Sequence, residues 1–116
     1  MDQSPPPIAQ IKAELFRALA HPLRVRALEL LVKGERSVGD LASALDVDLS
    51  HLSQQLAVLR RADVVETRRE GNTIFYSVPN PGIAALLTTA RQLIVSSLQN
   101  SSSLLASLGA SEDAAQ

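Results

Sequence analysis

DVDLSHLSQQLAVLRRADVV, residues 46–65, decides how this chain is read. Leu49, Leu52, Leu56 and Leu59 recur at helical spacing, which predicts a helix over about 49–62 with those leucines buried along one face. The other face carries Ser50, His51, Ser53, Gln54 and Gln55, then Arg60 and Arg61. A helix that needed only solubility would use Glu and Lys, which favour helix and hold water. Surface serines weaken a helix slightly, because their hydroxyls compete for backbone groups. A face of short hydroxyls and amides therefore needs a reason other than folding.

Upstream, SVGDLASAL (37–45) begins with Ser37 and has Asp40 three residues on, the form of a capping box with Asp in place of Glu or Gln. It predicts a short helix burying Val38, Leu41 and Leu45. DVD (46–48) is a tight turn in which Asp48 can cap the next helix. A short helix, a three-residue turn and a longer helix have the spacing of a helix-turn-helix. Downstream, VVETRREGNTIFYSV (64–78) holds two β-prone runs, 64–68 and 73–78, around REGN. Gly71 and Asn72 can adopt positive φ there, so the segment predicts a hairpin.

The flanks read as helices. Ile8, Ile11, Leu15 and Leu19, extended by Phe16, form one stripe that His21-Pro22 ends. Pro22 suits the first turn of a second helix, about 22–33, with Leu23, Leu28, Leu31 and Val32 as core and Gly34 as its stop. PNPG (79–82) precedes a last long helix with an almost continuous stripe of Ile83, Leu86, Leu87, Ala90, Leu93, Ile94, Leu98, Leu104 and Leu105. The serines at 101–103 leave its end open. The three prolines of MDQSPPP preclude a helix, so residues 1–7 are expected to be a flexible lead-in. One folded domain is expected over 8–108, followed by a flexible acidic tail, 109–116, with Glu112 and Asp113.

Composition narrows the class. At 116 residues the chain is one domain long, and with 46% hydrophobic but only 3% aromatic residues its core must be built from Leu, Val, Ile and Ala. That favours helices packed on helices. There is no cysteine, hence no disulfide framework and no thiolate chemistry. No apolar run approaches the ~18 residues of a membrane span, and no signal-peptide pattern opens the chain, so a cytoplasmic protein is expected. A net charge of −1 argues against a general polyanion binder. Arg60, Arg61, Arg68 and Arg69 are set against Asp63, Glu66 and Glu70, so any nucleic-acid footprint is local and modest.

Nothing points to an enzyme. GERSVGD (34–40) lacks the Lys-Ser/Thr of a phosphate loop and follows a helix rather than a strand. The two histidines, His21 and His51, are thirty residues apart, and His21 reads as a helix-boundary residue. There is no G-x-S-x-G and no H-E-x-x-H.

A helix-turn-helix followed at once by a hairpin is a winged helix, and here the chain resembles the ArsR/SmtB family of small bacterial repressors. FRALAHPLRVRALELL (16–31), SVGDLASAL (37–45), LSHLSQQLAVLRRADVV (49–65) and RREGNTIFYSV (68–78) carry the resemblance, which spans roughly residues 10–100. It implies a mainly α fold of about five helices with a β-hairpin wing. It also implies homodimerisation through the first helix (Ile8, Ile11, Leu15) and the last (Leu86, Leu87, Leu93, Ile94, Leu98). The helix over 49–62 would be the recognition helix, entering the major groove of DNA by its N-terminal turns. Helical geometry sets Ser50, Gln54 and Arg61 opposite the Leu52–Leu56–Leu59 stripe, with His51 and Ser53 flanking. Short donors and acceptors of this kind read base edges and phosphates. The wing, with Arg68, Arg69, Asn72 and Thr73 at or near its tip, would touch backbone or minor groove. Asp46 and Asp48 sit where phosphates would approach, which moderates the expected affinity.

The sensing sites depart from the family. Many members place a pair of cysteines in the third helix, in a pattern that here reads Ser37-Val38-Gly39-Asp40, and Ser and Gly are poor ligands for soft metals. Others bind zinc between their last helices through His and carboxylates, yet residues 82–108 contain no His, Asp or Glu. The expectation is a repressor without a metal cofactor, bound as a homodimer to an inverted repeat in duplex DNA, with no membrane partner. A small-molecule effector stays open. The rival reading is a helical dimeric protein–protein module that has lost DNA binding, and an enzyme is a distant third.

Overall fold

A computed structural model describes residues 7–115, with side chains described through Gly109. The chain divides into two compact units, Met1–Ile83 and Ala84–Gln116. The first contains α1 (Ile8–Leu19), α2 (Pro22–Leu31), β1 (Arg36–Ser37), α3 (Val38–Leu45), α4 (Leu49–Arg61), β2 (Glu66–Glu70) and β3 (Thr73–Ser77). The last helix, α5 (Pro81–Ala115), begins there and makes up the second unit.

Local chemistry sets the boundaries. His21 stands at the N-cap of α2 in extended conformation, and its Nδ1 accepts from the Leu23 N–H at 3.1 Å, while Pro22 fills the first helical position. The α2 helix stops at Leu31 and leaves Val32 half-buried at its end. Ser37 Oγ accepts from the Asp40 N–H at 3.1 Å, so the hydroxyl half of the expected capping box forms. Asp46 ends α3 in the left-handed region (φ 54°), which aspartate tolerates better than most residues. Asp48 does occupy the N-cap of α4, but its side chain makes no cap hydrogen bond, contrary to the sequence expectation. An exposed carboxylate loses little by staying hydrated.

Leu28, Leu41, Leu52, Leu56 and Leu59 are fully buried and come from α2, α3 and α4. Ala27 is equally buried, and its small side chain lets the helices approach closely. Leu49 departs from the expected stripe. It is the first residue of α4 and is 51% exposed, because the stripe meets the core only from Leu52 onward. Val38 is only half-buried.

The wing is a three-stranded antiparallel sheet in the order β1-β3-β2. The β2 strand starts two residues later than the pattern suggested, since Val64 and Val65 are core residues leading into it. Glu70 pairs with Thr73 across a two-residue loop in which Gly71 has φ 62°, while Asn72 does not need the positive φ allowed for it. The third strand was not legible in the sequence. β1 is two residues long and pairs Arg36 with Tyr76 and Ser37 with Phe75. Two residues cannot display an alternation.

Asn80 Oδ1 accepts from the Gly82 N–H at 2.8 Å and Pro81 opens α5. In the second unit Leu86 and Leu87 are half-buried, while Leu93, Ile94, Leu98, Leu104, Leu105 and Leu108 are exposed. The helical backbone continues to Ala115, past the point where the folded domain was expected to end. Of the expected lead-in only Pro7, the N-cap of α1, is among the described residues, and the side chains of Glu112 and Asp113 lie outside them. No described helix is long and apolar enough to cross a membrane.

Truncating a buried α4 leucine should leave a cavity. Leu56→Ala is expected to lower the unfolding free energy by ~2–5 kcal/mol, read as a lower urea midpoint at unchanged m-value. Leu49→Ala should stay within ~0.5 kcal/mol of the parent protein. Equal losses in urea titrations would contradict this division of the stripe.

Candidate nucleic-acid interface

Burial of Leu52, Leu56 and Leu59 turns the opposite side of α4 to solvent. Ser50, His51, Ser53 and Gln54 are all exposed in its first two turns, and among the described residues none of these side chains forms an intrachain hydrogen bond. They form one polar surface of donors and acceptors. Gln55 is not part of it. Half-buried, it accepts at Oε1 from Arg24 Nη1 at 2.8 Å, and the same guanidinium donates through Nη2 to the Arg17 carbonyl at 3.2 Å. One arginine thus ties α1, α2 and α4 together and steadies the helix behind the polar face.

Arg61 is exposed at the other end of α4, about 16 Å along the axis from Ser50 at 1.5 Å per residue. It borders a groove with Ile11, Leu15 and Ala18 of α1. With Arg60 it also complements the C-terminal end of the helix dipole. The structure therefore separates Arg61 from the cluster at the start of the helix.

On the wing, Asn72 and Thr73 are exposed at the hairpin tip, and Arg69, paired with Ile74, is exposed beside it. Arg68 is different. It lies within β2 opposite Phe75, with its guanidinium over that ring at 4.5 Å to the centroid. Its Nε and Nη2 donate to the Glu35 carboxylate at 3.1 and 2.7 Å, and its Nη1 donates to Glu70 Oε2 at 2.8 Å. The hydrogen bond from Arg68 holds the Glu35 carboxyl below its ordinary value, and the paired carboxylates push the guanidinium up. Two carboxylates on one guanidinium leave no net positive charge to offer a phosphate. Arg68 is exposed near the tip, two residues before the end of β2, where its guanidinium is engaged by Glu35 and Glu70. Glu35 is the residue that sequence reading missed, since nothing in GER signals a partner 33 positions away.

The residues assigned to dimerisation fall in both units. Ile8 and Ile11 are exposed on α1, with Leu15 half-buried, and Leu93, Ile94 and Leu98 are exposed on α5. Among the described residues no group of three or more His, Cys, Asp or Glu side chains is placed to hold a metal ion.

A helix-turn-helix whose second helix presents an exposed polar face, followed directly by an antiparallel wing, is a winged helix-turn-helix. Residues 21–67 match the model of the bacterial regulatory protein, arsR family. The HTH-type transcriptional regulator Rv0081 of Mycobacterium tuberculosis is 50% identical over 105 residues, 90% of this chain and 92% of that one. Its crystal structure matches with a TM-score of 0.75 over 83% of this chain and 97% of the other. The biofilm growth-associated repressor of Agrobacterium fabrum is 47% identical over 75 residues, 65% of this chain and 64% of the other. A homodimeric winged helix-turn-helix DNA-binding domain of Mycobacterium bovis, Mb0332, matches with a TM-score of 0.73 at 29% identity over 86% and 95% of the two chains. The chain belongs to the ArsR family of transcriptional regulators.

Because Glu35 titrates below its usual value, its tie to Arg68 is complete above the ordinary glutamate range and is lost only as pH falls through the depressed value. In an NMR titration the side-chain carboxyl carbon of Glu35 should keep its ionised shift from neutral pH through the ordinary glutamate range and move only in stronger acid. Glu35→Gln should speed amide exchange in β2 and β3 while leaving α2 and α4 protected. Uniform acceleration would mean that the pair serves the whole fold rather than the wing.

Proposed function

We propose that this protein is a sequence-specific DNA-binding transcriptional repressor that acts as a homodimer on an inverted repeat and uses no metal cofactor. The observation that carries the reading is the exposed polar surface of Ser50, His51, Ser53 and Gln54 on a helix pinned from behind by Leu52, Leu56 and Leu59. Recognition helices of helix-turn-helix proteins meet the major groove with their N-terminal residues. Hydroxyl, amide and imidazole groups there hydrogen-bond to base edges, whereas lysines and arginines alone would bind without selecting. Arg69, Asn72 and Thr73 supply the wing contact, and repression follows from covering a promoter. Relatives of both signs exist, a repressor and a transcriptional activator, and repression is the sign that binding alone can deliver.

Homodimerisation is supported by the exposed Ile8, Ile11, Leu93, Ile94 and Leu98 and by the homodimeric relative. A stable interface buries about 1,600 Å² in total, which several large apolar side chains on each chain can supply. Two-fold symmetry in the protein implies two-fold symmetry in the site, with half-site centres about 10–10.5 bp or a multiple apart. Metal-free action rests on residue type. Ser37 and Gly39 stand where many relatives carry thiolates, and residues 82–108 offer no imidazole or carboxylate.

Genomic fragments retained by the purified protein should share an inverted repeat, and binding should weaken steeply with salt as counterions are released. Salt-independent binding, or none, would favour the protein–protein module instead. On the selected site, Gln54→Ala and Ser50→Ala should cost ~1 kcal/mol or more of specific binding and little of non-specific binding. Arg69→Ala should weaken both and reduce the salt slope by about one. Arg68→Ala should leave that slope nearly unchanged, since its charge is already met by Glu35 and Glu70. Zinc, cadmium, nickel and arsenite, titrated against an EDTA-treated sample, should leave DNA-binding anisotropy unaltered. A chelation-reversible loss at micromolar metal would overturn the metal-free part of the proposal.

A further inference from the structure

We infer that Leu49 is a specificity-determining residue, selecting one thymine in each half-site through its 5-methyl group. The inference rests on the DNA-binding reading above and extends it to a residue whose spacing marks it as core. Leu49 is the first residue of α4 and 51% of its surface is open to solvent, whereas Leu52, Leu56 and Leu59 on the same helix have none. One turn on along the same face stand the buried Leu52 and the exposed Ser53, and the exposed Ser50 is next in the chain. On its other side is a shallow depression lined by Gly39, Ala42 and Ser43 of α3, residues too small to cover it. The leucine therefore borders the polar surface, at the edge where the buried stripe reaches solvent.

A leucine has no donor or acceptor, so it cannot contact a phosphate or the polar edge of a base. The thymine methyl is the apolar group that the major groove presents among the four base pairs, and apolar side chains read thymine by packing on it. The first turn of the second helix is where a helix-turn-helix meets base edges. Asp46 and Asp48, exposed just before Leu49, repel phosphates and disfavour a backbone contact for this turn. What remains is the floor of the groove. Packed against a methyl group, the open half of Leu49 becomes buried on binding.

Replacing thymine by deoxyuridine removes that methyl and keeps Watson–Crick pairing. Short duplexes carrying the site selected from genomic fragments should be made with each thymine of one half-site singly replaced. Anisotropy titrations of the full-length protein should then find one thymine whose replacement weakens binding about four-fold, the equivalent of ~0.8 kcal/mol for one methyl group removed from water. Leu49→Ala should lose a similar factor on the parent duplex and nothing more on that deoxyuridine duplex. Leu49→Met, which keeps an apolar contact, should retain sensitivity to the methyl and guards against a merely unfolded variant. If every deoxyuridine duplex weakens the parent protein and Leu49→Ala equally, the inference is wrong while DNA recognition by α4 stands. If the parent protein selects no fragments at all, the DNA-binding reading fails and the inference with it.

Discussion

Three leucines one and two turns apart, Leu52, Leu56 and Leu59, have no contact left with water, and the rest of the molecule is arranged around their burial. They set the rotation of α4 about its own axis, because any other rotation would expose them and bury serines and glutamines without partners. Once that rotation is set, Ser50 and Gln54 have only one direction to face. The Arg24 guanidinium adds a second restraint from behind, through Gln55 and the Arg17 carbonyl. A polar surface held in this way keeps its geometry before any partner arrives, and little ordering entropy remains to be lost on binding.

The electrostatics are restrained in the same spirit. The ion pairs among the described residues all centre on Arg68, whose partners Glu35 and Glu70 cancel its charge. The turn leading into α4 is acidic through Asp46 and Asp48, and the whole chain carries a net charge of −1. Attraction to a polyanion is therefore weak at a distance, and discrimination must come from close fit.

What the sequence discloses and what it withholds follow a physical rule. Helical spacing located α1, α4 and the start of α5, and the His21-Pro22 and Ser37 signals placed helix starts within a residue. Periodicity misjudged Leu49, because a helix stripe does not say where along its length the core begins. It was silent on β1, which exists only through pairing with Tyr76 and Phe75 in a later strand. Glu35 and Arg68 meet across a similar gap, and single residues far apart carry no pattern. Within the candidate site, the residues on α4 were legible because they share a helix. The role of Arg68 was hidden because it depends on a partner elsewhere.

Ser37 does two jobs with one residue. Its backbone pairs with Phe75 in the wing sheet, and its hydroxyl accepts the N–H of Asp40 at the head of α3. Phe75 in turn has Arg68 as its neighbour on the other side, so strand, aromatic ring and helix cap are linked in series. No residue separates β1 from α3, and a joint of zero length has no slack. Tilting the wing therefore drags the head of α3 with it, and strand and helix move as parts of a single lever.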